Sequence, residues 1–345
     1  MSNVVKIGNK YIGGENPVLI QSMTNTKTED SDATIEQIKR LETAGCDIVR
    51  FSVYNSECVK SIEKIKENTH IPLVADIHFD YKLAIDSVYA GIDKIRINPG
   101  NIGSEDNVKK VVKVCKEKNI PIRIGVNGGS LEKEILEKYN SPTPEALVES
   151  AFKHIDILHK FDFDNIVVSI KSSNVVNMID AYSLFSQKSD IPLHLGVTET
   201  GNFNSGLIKS AVGIGNLLLK GIGDTIRVSL TADPVEEIYA AKDILKACGL
   251  RKNGIEIISC PTCGRCNIDL INTVNKVYEK LKNCNKDLKI AIMGCIVNGP
   301  GEAREADIGI AGGKNEGILF KKGEIISKIP GDNLVECLIN EINKM

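Results

Sequence analysis

The sequence predicts an α/β protein, a (β/α)8 barrel of the TIM type followed by a small α+β domain. Three observations carry this expectation. Between residues 17 and about 247, eight short apolar runs alternate with amphipathic segments, the order of a closed parallel barrel. Several runs are introduced by the same punctuation, a helix stop and a tight turn: Ala44-Gly45-Cys46-Asp47, Ile71-Pro72, Ala90-Gly91-Ile92-Asp93, Ile120-Pro121, Ile191-Pro192 and Gly221-Ile222-Gly223-Asp224. After Cys248-Gly249 the rhythm changes and cysteines accumulate. The expected units are residues 1–248 and 249–345, in keeping with roughly 150 residues per domain.

The elements follow in order. Val4–Ile12 reads as a hairpin turning at Gly8-Asn9 and plugging the barrel floor. The eight strands are expected at Val18–Met23, Ile48–Val53, Leu73–Asp76, Lys94–Ile97, Ile122–Val126, Ile166–Ser169, Leu193–Val197 and Thr225–Val228. Between strands, segments such as Thr34–Ala44 place Ile35, Ile38 and Leu41 at helical spacing with charge on the opposite side. The last barrel helix begins at Asp233-Pro234-Val235-Glu236, an N-cap, a proline at the first helical position and a capping-box glutamate. An open doubly wound sheet is the competing architecture, weakened because no G-x-G-x-x-G follows the first strand. The second domain is expected to run strand (Ile255–Ile258), cysteine loop, helix (about Ile268–Leu281), strand (Leu288–Met293), glycine-rich loop and strand (Asp307–Ile310). A hairpin turning at Lys321-Lys322-Gly323 and a helix from about Asn333 complete it.

Apolar residues make up 42% of the chain and charged residues 26%, ordinary for a globular protein. Lys and Arg total 43 against 45 Asp and Glu, so bulk charge does not favour nucleic acid or a membrane surface. No apolar run approaches a membrane span, and Met1–Lys6 carries no apolar signal core. Cytoplasmic residence, with no membrane or nucleic-acid partner, is the expectation. In a reducing cytosol clustered cysteines read as metal ligands before disulfides. The scattered Cys46, Cys58, Cys115 and Cys248 read instead as small buried apolar residues.

The ends of barrel strands carry catalytic groups, and here they carry cations: Arg50, Arg96, Arg123, Lys171 and Arg227. Strand side chains alternate with a period of two. Arg50 therefore shares a face with Ser52, Arg96 with Asn98, Arg123 with Asn127, and Arg227 with Ser229, while the intervening apolar residues face the helices. The polar set then lines the lumen. Against these five cations the carboxylates expected in the same mouth are Asp76 and Glu199, which leaves about three positive charges uncompensated, each costing several kcal/mol in a low-dielectric cavity. A bound polyanion offsets that cost, and arginine forks suit phosphate oxygens. Gly128-Gly129-Ser130, opening a helical segment, adds backbone N–H groups. A structural ion-pair layer is the alternative, and it lacks carboxylates to pair the cations.

In the same mouth His78 is a substrate contact or a hydrogen-bonded barrel residue, and Asp76 orients an arginine or a substrate hydroxyl. Glu199, directly after a strand, is the candidate general acid or base, with an arginine partnership as the alternative. His70, His154 and His159 fall on helical segments as surface or packing residues, and His194 is packed within a strand.

Cys260-Pro261-Thr262-Cys263-Gly264-Arg265-Cys266 holds two overlapping C-x2-C pairs, and Cys295 follows in a glycine-rich setting. A structural zinc site would use Cys260, Cys263, Cys266 and Cys295. An iron–sulfur cluster would use a C-x2-C pair, a distant cysteine and another ligand. The spacing admits both, and the glycines around Cys295 favour a bulky cluster that backbone must approach closely.

Nearly the whole chain resembles the 4-hydroxy-3-methylbut-2-enyl diphosphate synthase family, reductive enzymes late in the methylerythritol phosphate route to isoprenoids. The carriers include Gln21–Thr26, Ala75–Phe79, Arg96–Asn101, Arg123–Asn127, Ser169–Ser173, Gly196–Gly201 and Arg227–Ser229. Ser259–Arg265, and Met293-Gly294-Cys295 through Val297–Glu302, are the most specific. The resemblance implies a [4Fe–4S] cluster held by Cys260, Cys263 and Cys295 with Glu302 as fourth ligand, in a domain like those of sulfite and nitrite reductases. It assigns no ligand role to Cys266. It implies 2-C-methyl-D-erythritol 2,4-cyclodiphosphate as substrate, its diphosphate held by Arg50, Arg96, Arg123, Lys171, Arg227 and Ser229. Asn98, Asn127, Asp76, His78 and Glu199 match positions lining the pocket. Reduced flavodoxin or ferredoxin is the implied donor, and no nucleotide-binding fingerprint competes with it.

The last barrel helix, about 20 Å long at 1.5 Å per residue, ends at the floor, and Gly249–Gly254 is too short to climb back. A homodimer is therefore expected in which the cluster domain of one chain caps the barrel of the other. The rival functions are a redox-inert lyase or transferase on a phosphorylated substrate with a zinc clip, and a non-catalytic scaffold.

Overall fold

A computed structural model describes residues 1–251, 254–282, 284, 286–296 and 303–345. The chain divides into two compact units, Met1–Leu250 and Arg251–Met345.

The first unit opens with the hairpin β1 (Val5–Ile7) and β2 (Lys10–Ile12). The barrel strands are β3 (Leu19–Met23), β4 (Ile48–Ser52), β5 (Leu73–Asp76), β6 (Lys94–Ile97), β7 (Ile122–Asn127), β8 (Ile166–Lys171), β9 (His194–Leu195) and β10 (Thr225–Ile226). They run parallel in the order β8-β7-β6-β5-β4-β3-β10-β9, and a parallel bridge between Val168 and Leu193 joins the two ends. The helices are α1 (Ser31–Thr43), α2 (Ser56–Glu67), α3 (Tyr81–Tyr89), α4 (Glu105–Lys118), α5 (Lys133–Tyr139), α6 (Pro144–His159), α7 (Val175–Ser186), α8 (Phe203–Leu219) and α9 (Pro234–Ala247). Most start on a side-chain cap: Asp30, Asn55, Asp80, Thr143, Asn174, Asn202 and Asp233 each accept from a first-turn N–H.

Period-two alternation builds the layers. Val49, Phe51, Ile95, Ile97, Ile122 and Ile124 are buried against the helices. On the other strand face a floor of Leu19, Ile48, Val74 and Val167 packs against Val5, Ile7 and Ile12 of the hairpin, which closes that end of the barrel as anticipated. Gly8 turns the hairpin at φ +57°, where a side chain would press on the Asp93 carboxylate.

The structure departs from the sequence reading in detail. Strands β9 and β10 hold only two ladder residues each. Beyond Leu195 the chain narrows to Gly196, whose missing Cβ would meet the Arg227 carbonyl oxygen at 2.8 Å. Gly128–Ser130 forms a single 3-10 turn rather than the start of a long helix, so it offers no helix terminus to an anion. Two helices, α5 and α6, fill the β7–β8 crossover. Cys46, Cys58 and Cys115 are buried, and burial pushes the Cys46 and Cys115 thiols up to about 12. Cys248 is only half-buried.

The second unit contains β11 (Ile255–Ser259), α10 (Leu270–Leu281), β12 (Leu288–Met293), β13 (Ile308–Gly312), β14 (Glu316–Lys321), β15 (Glu324–Pro330) and α11 (Leu334–Lys344). The sheet runs in that strand order, parallel from β11 to β13 and antiparallel from β13 to β15. Leu270 and Val277 of α10 and Leu334 and Leu338 of α11 cover Ile290, Ile292, Ile308 and Ile310 on one face. Lys322 and Gly323, both at positive φ, turn the β14–β15 hairpin. Among the described residues no helix is long and apolar enough to cross a membrane.

Candidate active site

The mouth of the barrel holds a cavity of about 170 Å³. Every anticipated substrate residue except Asn98 lines it, joined by Ser169 and Thr198. The strand register explains the convergence. Arg50 pairs with Val74, Asp76 with Arg96, Arg96 with Arg123, and Asn127 with Lys171, so neighbouring strands deliver these side chains at similar heights. Gly125 makes room: a Cβ there would run into the Arg96 guanidinium, which lies over it.

Asp76, 3% exposed, sits 3.1 Å from Arg96 and 3.5 Å from Arg50, with His78 Nε2 at 3.9 Å. Burial alone would raise its pKa, but Arg50, Arg96 and Arg123 together hold it well below the usual carboxylate range. Burial pulls the Arg50 guanidinium down to about 10 against the support of Asp76, and drives Arg123 and Lys171 far below their ordinary values, with the neighbouring cations adding to the shift. Arg123 is 1% exposed, and its Nε and one terminal nitrogen have no hydrogen-bond partner among the described residues. Buried guanidinium donors without acceptors are costly; an anion seated in the cavity supplies them.

Several side chains lie elsewhere than expected, and others were missed. Asn98 turns into its own loop, where its Oδ1 accepts from the Gly100 N–H at 3.2 Å. Glu199 stands exposed at φ +53° in the loop after β9 and does not line the cavity. The carboxylate beside Arg227 is Glu237 of α9, 4% exposed, whose Oε2 is 3.4 Å from Arg227 Nε and 3.1 Å from Ser22 Oγ. Glu237 occupies the role of arginine partner that Glu199 was offered as an alternative. Its place was readable from helical spacing, since Glu237, Ala241 and Ile244 share the buried face of α9. Lys94, fully buried, lies two residues before Arg96 on the same strand face, a position the alternation also exposes. His194 is fully buried as expected, its Nδ1 2.8 Å from Thr225 Oγ1.

In the second unit the parallel pairing of Ser259 with Ile292 places Cys260 and Cys295 beyond the C-terminal ends of the adjacent strands β11 and β12. The Gly294 N–H donates to Cys260 Sγ at 3.3 Å, and a Cβ on Gly294 would collide with Cys266 Sγ. Cys266 N–H bonds the Cys263 carbonyl oxygen, which folds the C-x2-C turn over that glycine. Cys266 Sγ itself donates to the Ile268 carbonyl oxygen at 3.2 Å. Among the described residues no three ligating side chains already meet at one point. The donor set is thiol-rich, gathered around a glycine and supported by an N–H···S bond, and these features fit a thiolate-held iron–sulfur group. Glu302 lies outside the described residues.

The GcpE TIM-barrel domain matches residues 2–242, and the GcpE protein C-terminal domain matches residues 256–344. The 4-hydroxy-3-methylbut-2-en-1-yl diphosphate synthase (flavodoxin) of Clostridium perfringens is 62% identical over 338 residues, 98% of this chain and 97% of the relative. The protein of the same name from Fusobacterium nucleatum is 60% identical over 344 residues, 100% of this chain and 96% of the relative. Among solved structures, dihydropteroate synthases from Yersinia pestis (TM-score 0.51, 12% identity) and Vibrio fischeri (TM-score 0.51, 15% identity) cover 71% and 72% of this chain, and 98% and 97% of their own. At that identity the likeness speaks to the barrel fold alone.

Proposed function

The chain belongs to the GcpE family, and from that premise we propose that it reductively opens 2-C-methyl-D-erythritol 2,4-cyclodiphosphate to 4-hydroxy-3-methylbut-2-enyl diphosphate. It is an oxidoreductase of isoprenoid biosynthesis, and flavodoxin, which the relatives carry in their names, is the electron donor. The redox-inert lyase and the scaffold find no support among full-length relatives of this name.

The observation that carries the substrate assignment is the cation-lined cavity with unpartnered Arg123 donors. Arg50, Arg96, Arg123, Lys171 and Arg227 hold the diphosphate, with Ser229 and Asn127 adding neutral hydrogen bonds. Asp76 keeps Arg50 and Arg96 aimed, and His78 extends that network to the rim, where its Nδ1 lies 3.3 Å from Arg96. Glu199, held in left-handed backbone beside the mouth, holds or passes the proton at the departing hydroxyl, a role that suits a strained loop residue. Asn98 shapes the loop rather than the cavity wall. Cys260, Cys263 and Cys295, with Glu302 as fourth ligand, would hold a [4Fe–4S] cluster. When bound, such a group supplies electrons one at a time and a Lewis-acidic iron.

The working form is proposed to be a homodimer in which the cysteine unit of one chain serves the cavity of the other. Full turnover per chain by a monomer at high dilution contradicts that arrangement. The cofactor assignment is tested by anaerobic purification with iron and sulfide analysis. About four irons with matching sulfide per chain are expected, and Cys295→Ala should lose them; a colourless protein carrying one zinc contradicts the reading.

A further inference from the structure

Lys94 lies wholly inside the barrel, one lumen layer below Arg96 on β6 and outside the wall of the cavity. A buried ammonium ordinarily sits against a carboxylate. Among the described residues Lys94 makes no ion pair, and its Nζ donates a long hydrogen bond of 3.4 Å to Gln21 Oε1 on β3. The surrounding strands offer further cations and little negative charge. Arg50 faces it from β4 and Arg123 from β7, and His194 on β9 lies within electrostatic reach. Lys171 on β8 stands higher, among the cavity residues. Asp76 on β5, the acid of the cavity wall, is already engaged by Arg50 and Arg96 in the layer above.

Resting on the reading of the mouth as an anion site, we infer that Lys94 is a proton-uptake residue for anion binding. It stays uncharged beneath the empty cavity and takes a proton from solvent onto Nζ when a phosphate group occupies the guanidinium cluster above it. Burial, reinforced by Arg123 and Arg50, pushes this lysine well below its ordinary range, in the direction the inference requires. The negative charge of the ligand reverses the local field, so binding and protonation favour each other, and anion affinity falls as pH rises through the shifted titration. Lys171 touches the anion directly; Lys94 acts from below, as a positioning charge that sets how strongly the site discriminates by pH.

Titration calorimetry of the full chain with inorganic diphosphate at pH 8, repeated in buffers of different ionisation enthalpy, counts the protons taken up. The protons of diphosphate itself contribute equally to every protein, so the reading is a difference between proteins. Lys94→Met, never charged, and Lys94→Arg, always charged, should each take up fewer protons than the wild type, by up to about one. Affinity at pH 7 should fall roughly tenfold in the methionine variant and hold in the arginine variant. Equal uptake in all three proteins overturns the inference and leaves the anion site standing. No diphosphate binding by the wild type overturns the anion reading, and the inference with it. Should neither variant fold, sulfate, which carries no titratable proton in this range, decides on Lys171→Met, in which the one lysine touching the anion no longer titrates: binding with proton uptake supports the inference, and binding without it overturns it.

Discussion

Asp76 and Lys94 occupy adjacent lumen layers with opposite electrostatic situations, and their stability effects should run in opposite directions. Asp76 is paired twice, and its carboxyl is held low by arginines after burial has been overcome. Its stabilisation is present above the unfolded carboxylate value and is lost as pH falls through the folded one. Asp76→Asn should therefore cost about 3–5 kcal/mol in urea titrations at pH 7, with the deficit narrowing when diphosphate is bound. Lys94 is buried without a carboxylate, so the unfolded chain binds its proton more tightly, and native stability rises with pH up to about 10.4. Lys94→Met should raise the thermal midpoint at pH 7, with the gain closing toward pH 10; a gain independent of pH contradicts the account. The five mouth cations, Asp76, His78 and Asn127 were legible because one rule, strand alternation at a barrel end, governs them all. That Glu199 stands off the cavity wall was not legible, because position after a strand does not give side-chain direction in a loop. Glu237 was missed because a helix start rich in acids reads as a solvated cap.

At the scale of elements, the strands of the first six barrel positions were legible where β-branched runs are bounded by Gly and Pro, and Leu73–Asp76 and Lys94–Ile97 fall where the pattern puts them. The shortening of β9 and β10 was not legible, nor was the close approach of Gly196 to the Arg227 carbonyl just beyond them, a contact between segments about 30 residues apart in sequence. Gly125 is the informative glycine of the wall. On the lumen face of β7 between Arg123 and Asn127, it gives the Arg96 guanidinium its seat. Gly125→Ala adds one methyl and no charge, and should cost about 1–3 kcal/mol of stability while lowering diphosphate affinity about tenfold as Arg96 is displaced; calorimetry showing unchanged affinity would separate Arg96 from anion binding. The floor hairpin should behave independently. Ile7→Ala, deep in the plug, should cost about 2–5 kcal/mol and leave diphosphate affinity within error.

For the whole molecule, the division into a barrel and a cysteine-bearing sheet was visible as a change of rhythm near Cys248, and the structure parts the chain after Leu250. The barrel concentrates positive charge around a cavity, and the second unit collects thiols at the ends of parallel strands. Which metal those thiols hold was not decided by their spacing, because soft tetrahedral sites and clusters draw on the same residues. The proposed cluster rests on the thiol-rich donor set around Gly294. Whether the cations of the barrel hold the diphosphate of the reacting molecule is decided by the conversion of 2-C-methyl-D-erythritol 2,4-cyclodiphosphate by anaerobic protein with reduced flavodoxin, Arg123 intact or replaced by Met. The wild type should yield 4-hydroxy-3-methylbut-2-enyl diphosphate, and Arg123→Met should lose at least about a hundredfold in kcat/KM, equivalent to about 2.7 kcal/mol of transition-state stabilisation. Wild-type efficiency in Arg123→Met, or an untouched cyclodiphosphate with iron-loaded wild type, would contradict that role.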